Sequence, residues 1–222
     1  MCPNNFTDMS ITSHSGLAPL LDVVGQALRQ SQVALNQADA LNGNHGDHIV
    51  QVFQVAAGAV QERADLPLAE AMDYAASRLE GLAHNGSAQT YALGLRQIAR
   101  QLRRYNISLD ELVAYVRGVL GGEDTTGAVA SRSGDVLKAL AGGLASWGKA
   151  ESGQEIPDHP LDMGTLLELG MTYLQARQRG GSRLEVLADA AASASPLRNL
   201  PHRYASGKLA IQALLEAMQS QE

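Results

Sequence analysis

Within Ala40–Gln54, ALNGNHGDHIVQVFQ, the side chains of His45, Asp47 and His48 fall inside four consecutive positions. Imidazole nitrogens and a carboxylate are ligands for zinc-like cations, so the trio is a candidate metal site. No second cluster of such ligands is visible in the sequence, and a solvated loop histidine is the competing explanation. The same segment is a glycine-rich turn ahead of a helix, a geometry in which free backbone N–H groups can face an anion. Glycine and asparagine also tolerate left-handed backbone angles, so connecting and capping is the plainer role. Further along, Arg198, His202 and Arg203 make a basic cluster in SPLRNLPHRYASGK. Guanidinium forks suit phosphate, against the alternative of a solvated surface loop. Ser87 reads first as a helix cap and second as a phosphate ligand. Asp39, Asp47, Glu123 and Asp124 are the acids that could assemble a cation site. Asp39 lies two positions past Gln37, which on a helix turns it away, and Asp47 at a helix start simply complements the dipole. No serine has a histidine and an acid adjacent in sequence, and the single cysteine, Cys2, sits near the start, so no nucleophile is assigned.

Helices are what the chain offers to position these groups. Leu17, Leu20, Leu21, Val24 and Leu28 share a stripe, and a second helix is expected through Val33 to Leu41. Ile49, Phe53, Ala56 and Val60 follow the loop, then Leu68, Met72, Ala75, Leu79 and Leu82 after Pro67, which is placed to open a helix. Tyr91, Leu95, Ile98, Leu102 and Tyr105 line the next. Ser108 with Glu111 and Ser182 with Glu185 have capping-box spacing. Leu137, Leu140, Leu144 and Trp147 form a stripe, as do Leu166, Leu167, Met171 and Leu174, and Ile211, Leu214, Leu215 and Met218 mark the last helix. Nothing alternates with a strand's period of two. The fold expected is all-α, a closed up-and-down antiparallel bundle or barrel of about eight helices, with residues 1–15 a disordered terminus and 16–222 a single domain.

A formal charge of −6 over 222 residues, with no extended basic cluster, argues against a nucleic-acid binder. The basic stretch RQIARQLRR fits a solvated helix face. No run reaches membrane-spanning length and the first residues lack a signal peptide's basic start and apolar centre, so no membrane association and a cytoplasmic location are expected.

Four segments taken together resemble the DhaL family, the nucleotide-binding subunit or domain of dihydroxyacetone (glycerone) kinases. GNHGDHI looks like the family's GDGDHGxNM loop. GSAQTYALGL falls where the family has GGTSGxLY, DMGTLLEL where it has GDKTMLDAL, and GKLAIQALLEAM where it has DPGAxSxxLLLEAL and its last helix. The segments come in family order and span the chain from about Leu17 onward, except that residues 106–133 have no family counterpart.

The resemblance implies a helical barrel that holds ADP or ATP through two magnesium ions gripped by three aspartates at the loop, with phosphate cradled by the serine turn and nearby helix ends. Phosphoryl transfer would then proceed by positioning and charge neutralisation. At the family's three aspartate positions, however, stand Gln37, Asn42 and Asn44. An amide offers a dipole where magnesium requires anionic oxygen. Gly43, His45 and Gly46 persist, and His48 replaces the family's asparagine. Ser87 and Tyr91 match, while His84, Asn85, Gly86 and Ala88 replace glycines and a threonine. Ala205 stands at the family's aspartate, Ser206 at its proline, and Gly207 is in register. Gln37, Asn42, Gly43, Asn44, His45, Gly46, His48, Ser87 and Gly207 are thus what remains of the nucleotide site. The function expected is a divergent DhaL-like subunit that lacks the two-magnesium ADP site and binds a small molecule or nucleotide, or partners a dihydroxyacetone kinase-type subunit in a regulatory role. The alternatives are an active glycerone kinase subunit with a rearranged metal site and a purely structural assembly module.

Overall fold

Leu17, Leu20, Val24 and Leu28 are all buried along one side of α1 (Leu17–Gln30), the helix their spacing predicts. In the computed structural model the described residues are 16–121, 182–194 and 200–220. They form α1, α2 (Gln32–Ala38), α3 (His45–Glu62), α4 (Leu68–Glu80), α5 (Gly86–Tyr105), α6 (Leu109–Gly121), α7 (Arg183–Ala194) and α8 (Pro201–Ser220). No strand occurs among the described residues, so the fold is all-helical. The stripes expected over 137–147 and 166–174, the acids Glu123 and Asp124, Arg198, and residues 1–15 lie outside the described residues.

Packing follows the order α5, α4, α3, α1, α8, α7, with α2 against α3 and α8, and α6 also against α8. Five-residue links join α3 to α4 and α4 to α5, so these packed neighbours run antiparallel. One hydrophobic cluster extends from Leu17 to Met218 through α1, α3, α4, α5, α6 and α8. None of the described helices is long and apolar enough to cross a membrane.

Both capping boxes form. The Ser108 N–H donates to Glu111 at 2.8 Å and the Glu111 N–H to the Ser108 hydroxyl at 3.2 Å; Ser182 and Glu185 make the same exchange at 2.9 and 3.2 Å. Three elements differ from the sequence expectation. Helix α2 stops at Ala38, leaving Leu41 79% exposed, because the Asp39 carboxylate accepts the N–H groups of Leu41 and Asn44 and so competes with further helical turns. In α5 the deepest positions are Ala88, Ala92, Ala99 and Leu102, while Tyr91, Leu95, Ile98 and Tyr105 flank them. Small residues on α5 face a helix, α4, that itself buries Ala71, Ala75 and Ala76, so the tightest seam takes alanines and the larger side chains spread to its sides. Finally, α8 begins at Pro201, ten residues before the apolar run from Ile211, and its buried stripe is His202, Ser206, Ala210, Ala213 and Ala217 with Met218.

Candidate functional site

The loop between α2 and α3 is shaped by its own side chains. Gly43 has φ +68°, a left-handed angle that glycine adopts freely. Asp39 is not turned away as helical geometry would have it: α2 has already ended, and the residue is 6% exposed in extended backbone. Its Oδ1 accepts the Leu41 N–H at 3.1 Å and its Oδ2 the Asn44 N–H at 3.3 Å. Burial pushes the Asp39 pKa up, but these N–H groups, that of Asn42 and the nearby His202 together outweigh it and hold the carboxyl below its usual value.

Two residues on, α3 comes very close to α2. A Cβ on Gly46 would sit 2.2 Å from the Gln32 carbonyl oxygen and 2.8 Å from Asn36 Oδ1, so no larger residue fits. The contact is sealed by Asp47, which accepts hydrogen bonds from Gln32 Nε2 at 2.6 Å and Asn36 Nδ2 at 2.9 Å while its own N–H donates to Asn36 Oδ1. Those bonds from Gln32 and Asn36 lower the Asp47 pKa.

The expected metal trio is therefore divided. Asp47 is directed onto α2, whereas His45 turns inward, 6% exposed, with Nε2 2.8 Å from the Ser206 hydroxyl of α8. His48 is half-buried and contributes its backbone carbonyl as an acceptor for Asn85. Among the described residues, no three His, Cys, Asp or Glu side chains are grouped to share a metal ion.

His45 is edge-on to His202, ring centroids 4.8 Å apart and planes inclined by 63°. His202 in turn places Nδ1 3.9 Å from Asp39 Oδ1. Arg203 and His202 thus belong to the first turn of α8 rather than to a solvated loop, and His202 is buried. Burial first, then the neighbouring His202 and Arg203, depress the His45 pKa to about 4. The Ser206 hydroxyl donates to the Arg203 carbonyl at 3.0 Å. With that single proton committed, His45 donates from Nε2, which fixes a neutral tautomer. Ser206 and His45 are a serine and a histidine in contact, which the sequence did not bring together. The buried acid nevertheless faces the other histidine, and His45 is a weak base, so the arrangement lacks the ordering of a nucleophilic triad.

Helix α5 starts beside this cluster because Asn85 ties it there. Asn85 Oδ1 accepts the Ala88 N–H at 3.0 Å, while Nδ2 donates to the His48 carbonyl at 3.0 Å and to Gln51 Oε1 at 2.9 Å. Asn85, not Ser87, is the cap. Ser87 is 8% exposed, and its hydroxyl has no hydrogen-bond partner among the described residues. It lines a cleft with His45, Thr90, Tyr91, Arg203 and Ser206. The cleft as a whole has room for no more than about one water. Burial raises the Tyr91 pKa, with Arg203 opposing, so the phenol is protonated.

The remaining sequence candidates divide plainly. Gln37 and Asn42 are exposed. Asn44 stands at the N-cap position of α3, but its side chain makes no cap bond, and Asn44 Oδ1 is buried without a partner. A Cβ on Gly207 would meet nothing within 4 Å among the described residues, whose packing therefore does not require glycine there. Set against models of known protein families, characterised proteins and solved structures, the chain has no match.

Proposed function

We propose that the protein is a divergent DhaL-like helical protein of the dihydroxyacetone (glycerone) kinase type that has given up the two-magnesium nucleotide site and works as a ligand- or partner-binding, regulatory subunit in the cytoplasm. The observation that carries this is the state of the acids around the loop. The three aligned positions are amides, and the two acids nearest them already serve other groups: Asp39 holds the loop's N–H groups, and Asp47 holds Gln32 and Asn36. Magnesium sheds water only for anionic oxygen presented in octahedral geometry. An active kinase with a rearranged site would have to break both sets of bonds, unwinding the loop and parting α2 from α3.

Thermal unfolding with ADP or ATP, each with magnesium and with EDTA, tests the proposal. Ligand at about a hundred times its Kd stabilises a protein by about 2.7 kcal/mol, a readily measured rise in melting temperature. The outcome expected is no magnesium-dependent rise; a rise that requires magnesium would refute the proposal. The variant Gln37→Asp/Asn42→Asp/Asn44→Asp should acquire magnesium-dependent nucleotide affinity if only the ligands were lost. A partner role is tested by mixing the chain with a dihydroxyacetone-binding subunit and measuring co-elution.

A further inference from the structure

We infer that Asn42 is a site of self-modification: the Gly43 nitrogen attacks the Asn42 side-chain amide, expels ammonia and leaves aspartate or isoaspartate in the loop ahead of α3. The inference is independent of the function proposed above, since it needs only the loop's own atoms and water.

The step balances with water as the sole co-reactant. Hydroxide takes the proton of the Gly43 N–H, the nitrogen forms a bond to Asn42 Cγ, and the bond from Cγ to Nδ2 breaks as ammonia departs. Water then opens the cyclic imide at either carbonyl. Cleavage of the new bond restores the ordinary main chain with an aspartate, whereas cleavage of the old peptide bond leaves isoaspartate, with the main chain routed through Cβ and Cγ. Nothing is oxidised or reduced, and the loop gains one negative charge. The rate depends on an unhindered nitrogen, a side chain free to turn toward it, and access for water.

Glycine follows asparagine at two places in the chain, Asn42–Gly43 and Asn85–Gly86. Both pairs have the unshielded nitrogen that a following Cβ would crowd. Their surroundings are opposite. Asn85 is 3% exposed, and its amide is committed at both ends: Oδ1 accepts the Ala88 N–H at 3.0 Å, while Nδ2 donates to the His48 carbonyl at 3.0 Å and to Gln51 Oε1 at 2.9 Å. Turning its Cγ onto the Gly86 nitrogen would break all of these bonds.

Asn42 and Gly43 are both exposed, and the Asn42 side chain makes no hydrogen bond to a described residue. Asp39 fixes the loop through the N–H groups of Leu41, Asn42 and Asn44, and passes over that of Gly43. The Gly43 N–H has no acceptor among the described residues, so the attacking nitrogen is not held by a hydrogen bond. Gly43 sits at φ +68° and, having no Cβ, can leave that angle without a clash. The loop is anchored on either side of the reacting pair while the pair itself is left loose. An isoaspartate at 42 lengthens the main chain by a methylene between the Leu41 and Asn44 N–H groups that Asp39 holds together, so the modification works against the loop's own anchor.

The test incubates the full chain at mildly alkaline pH, folded in one sample and unfolded in guanidinium chloride in another. Peptide mapping by mass spectrometry follows both Asn–Gly pairs, and an isoaspartate-specific carboxyl methyltransferase labels the rearranged product. In the folded protein Asn42 should convert within severalfold of its rate in the unfolded chain. Asn85 should be slowed by folding at least about tenfold, because each 1.4 kcal/mol needed to free its side chain removes a factor of about ten from the reactive population. Asn42→Gln, an exposed substitution whose longer side chain must close a larger ring, should lose the label at this position. A folded protein in which Asn42 stays intact while the unfolded chain converts, or in which Asn85 converts as fast as Asn42, would overturn the inference. So would a loop label that persists in Asn42→Gln. None of these results bears on nucleotide or magnesium binding, so the two proposals fail separately.

Discussion

Replacing His45 by glutamine should remove a pH dependence of stability whose size follows from the structure. Glutamine keeps a donor for Ser206 but cannot titrate. In the folded protein, burial, His202 and Arg203 depress the His45 pKa to about 4 from the ordinary 6.5. Below 6.5 the unfolded chain therefore takes up a proton at this residue that the folded chain refuses, and stability is lost as pH falls from 6.5 toward 4. The full interval corresponds to about 3 kcal/mol, since each tenfold difference in proton affinity is worth about 1.4 kcal/mol. About 2 kcal/mol of it is gone by pH 5. Asp39 adds a loss in the same direction at lower pH, because its folded pKa is also depressed, but that loss is common to wild type and variant and cancels in their difference. Urea unfolding of both proteins from pH 7 to pH 4.5 measures that difference. Wild type should lose about 2 kcal/mol more than His45→Gln over this range. A difference that stays flat, or an NMR titration of the His45 ring centred near pH 6.5, would refute the view that this imidazole is buried and neutral.

Gly46→Ala should destabilise by about 1–3 kcal/mol, since the new methyl meets a backbone oxygen that cannot rotate away. Gly207→Ala should be neutral or stabilising by up to about 1 kcal/mol, because it adds helix propensity in open space; paired chemical denaturation curves test both. Ser108→Ala breaks a formed capping box at the start of α6 and should cost about 1 kcal/mol in the same assay. Asn85→Ala removes the α5 cap and the bonds from Asn85 to the His48 carbonyl and Gln51; a loss of about 2 kcal/mol is expected, together with faster amide exchange at Ala88.

Much of the fold was legible because helical spacing and capping are local. The stripe of α1, the Ser108–Glu111 and Ser182–Glu185 pairs and the opening of α4 after Pro67 are each written within a few residues. The end of α2 was not, since nothing local says that Asp39 will take the N–H groups of Leu41 and Asn44. The start of α8 carried a signal in Pro201, a residue suited to the first turn. That signal was masked by polar neighbours: His202 and Ser206, four residues apart and followed by Ala210, form a stripe that resembles a solvated face. Their burial is decided by His45, 161 residues away from Ser206 in the chain. The same separation hid the cleft, whose lining comes from three segments that have no pattern in common.

The unmet hydrogen-bonding groups distinguish the two halves of the site. At the loop the acids are satisfied by the protein, and the polar atom left over is an acceptor, Asn44 Oδ1, which a water or any N–H can satisfy and which brings no negative charge to a cation. At the cleft the group left over is the Ser87 hydroxyl, which has no hydrogen-bond partner among the described residues. A loop built to seat divalent cations would hold unpaired carboxylates that repel one another until metal arrives. Here Asp39 and Asp47 hold their loop and helix in place with hydrogen bonds from the chain itself. Asp39, Asp47 and Asn85 thus do the work of positioning with hydrogen bonds of their own: Asp39 to the loop, Asp47 to α2, and Asn85 between α5 and α3.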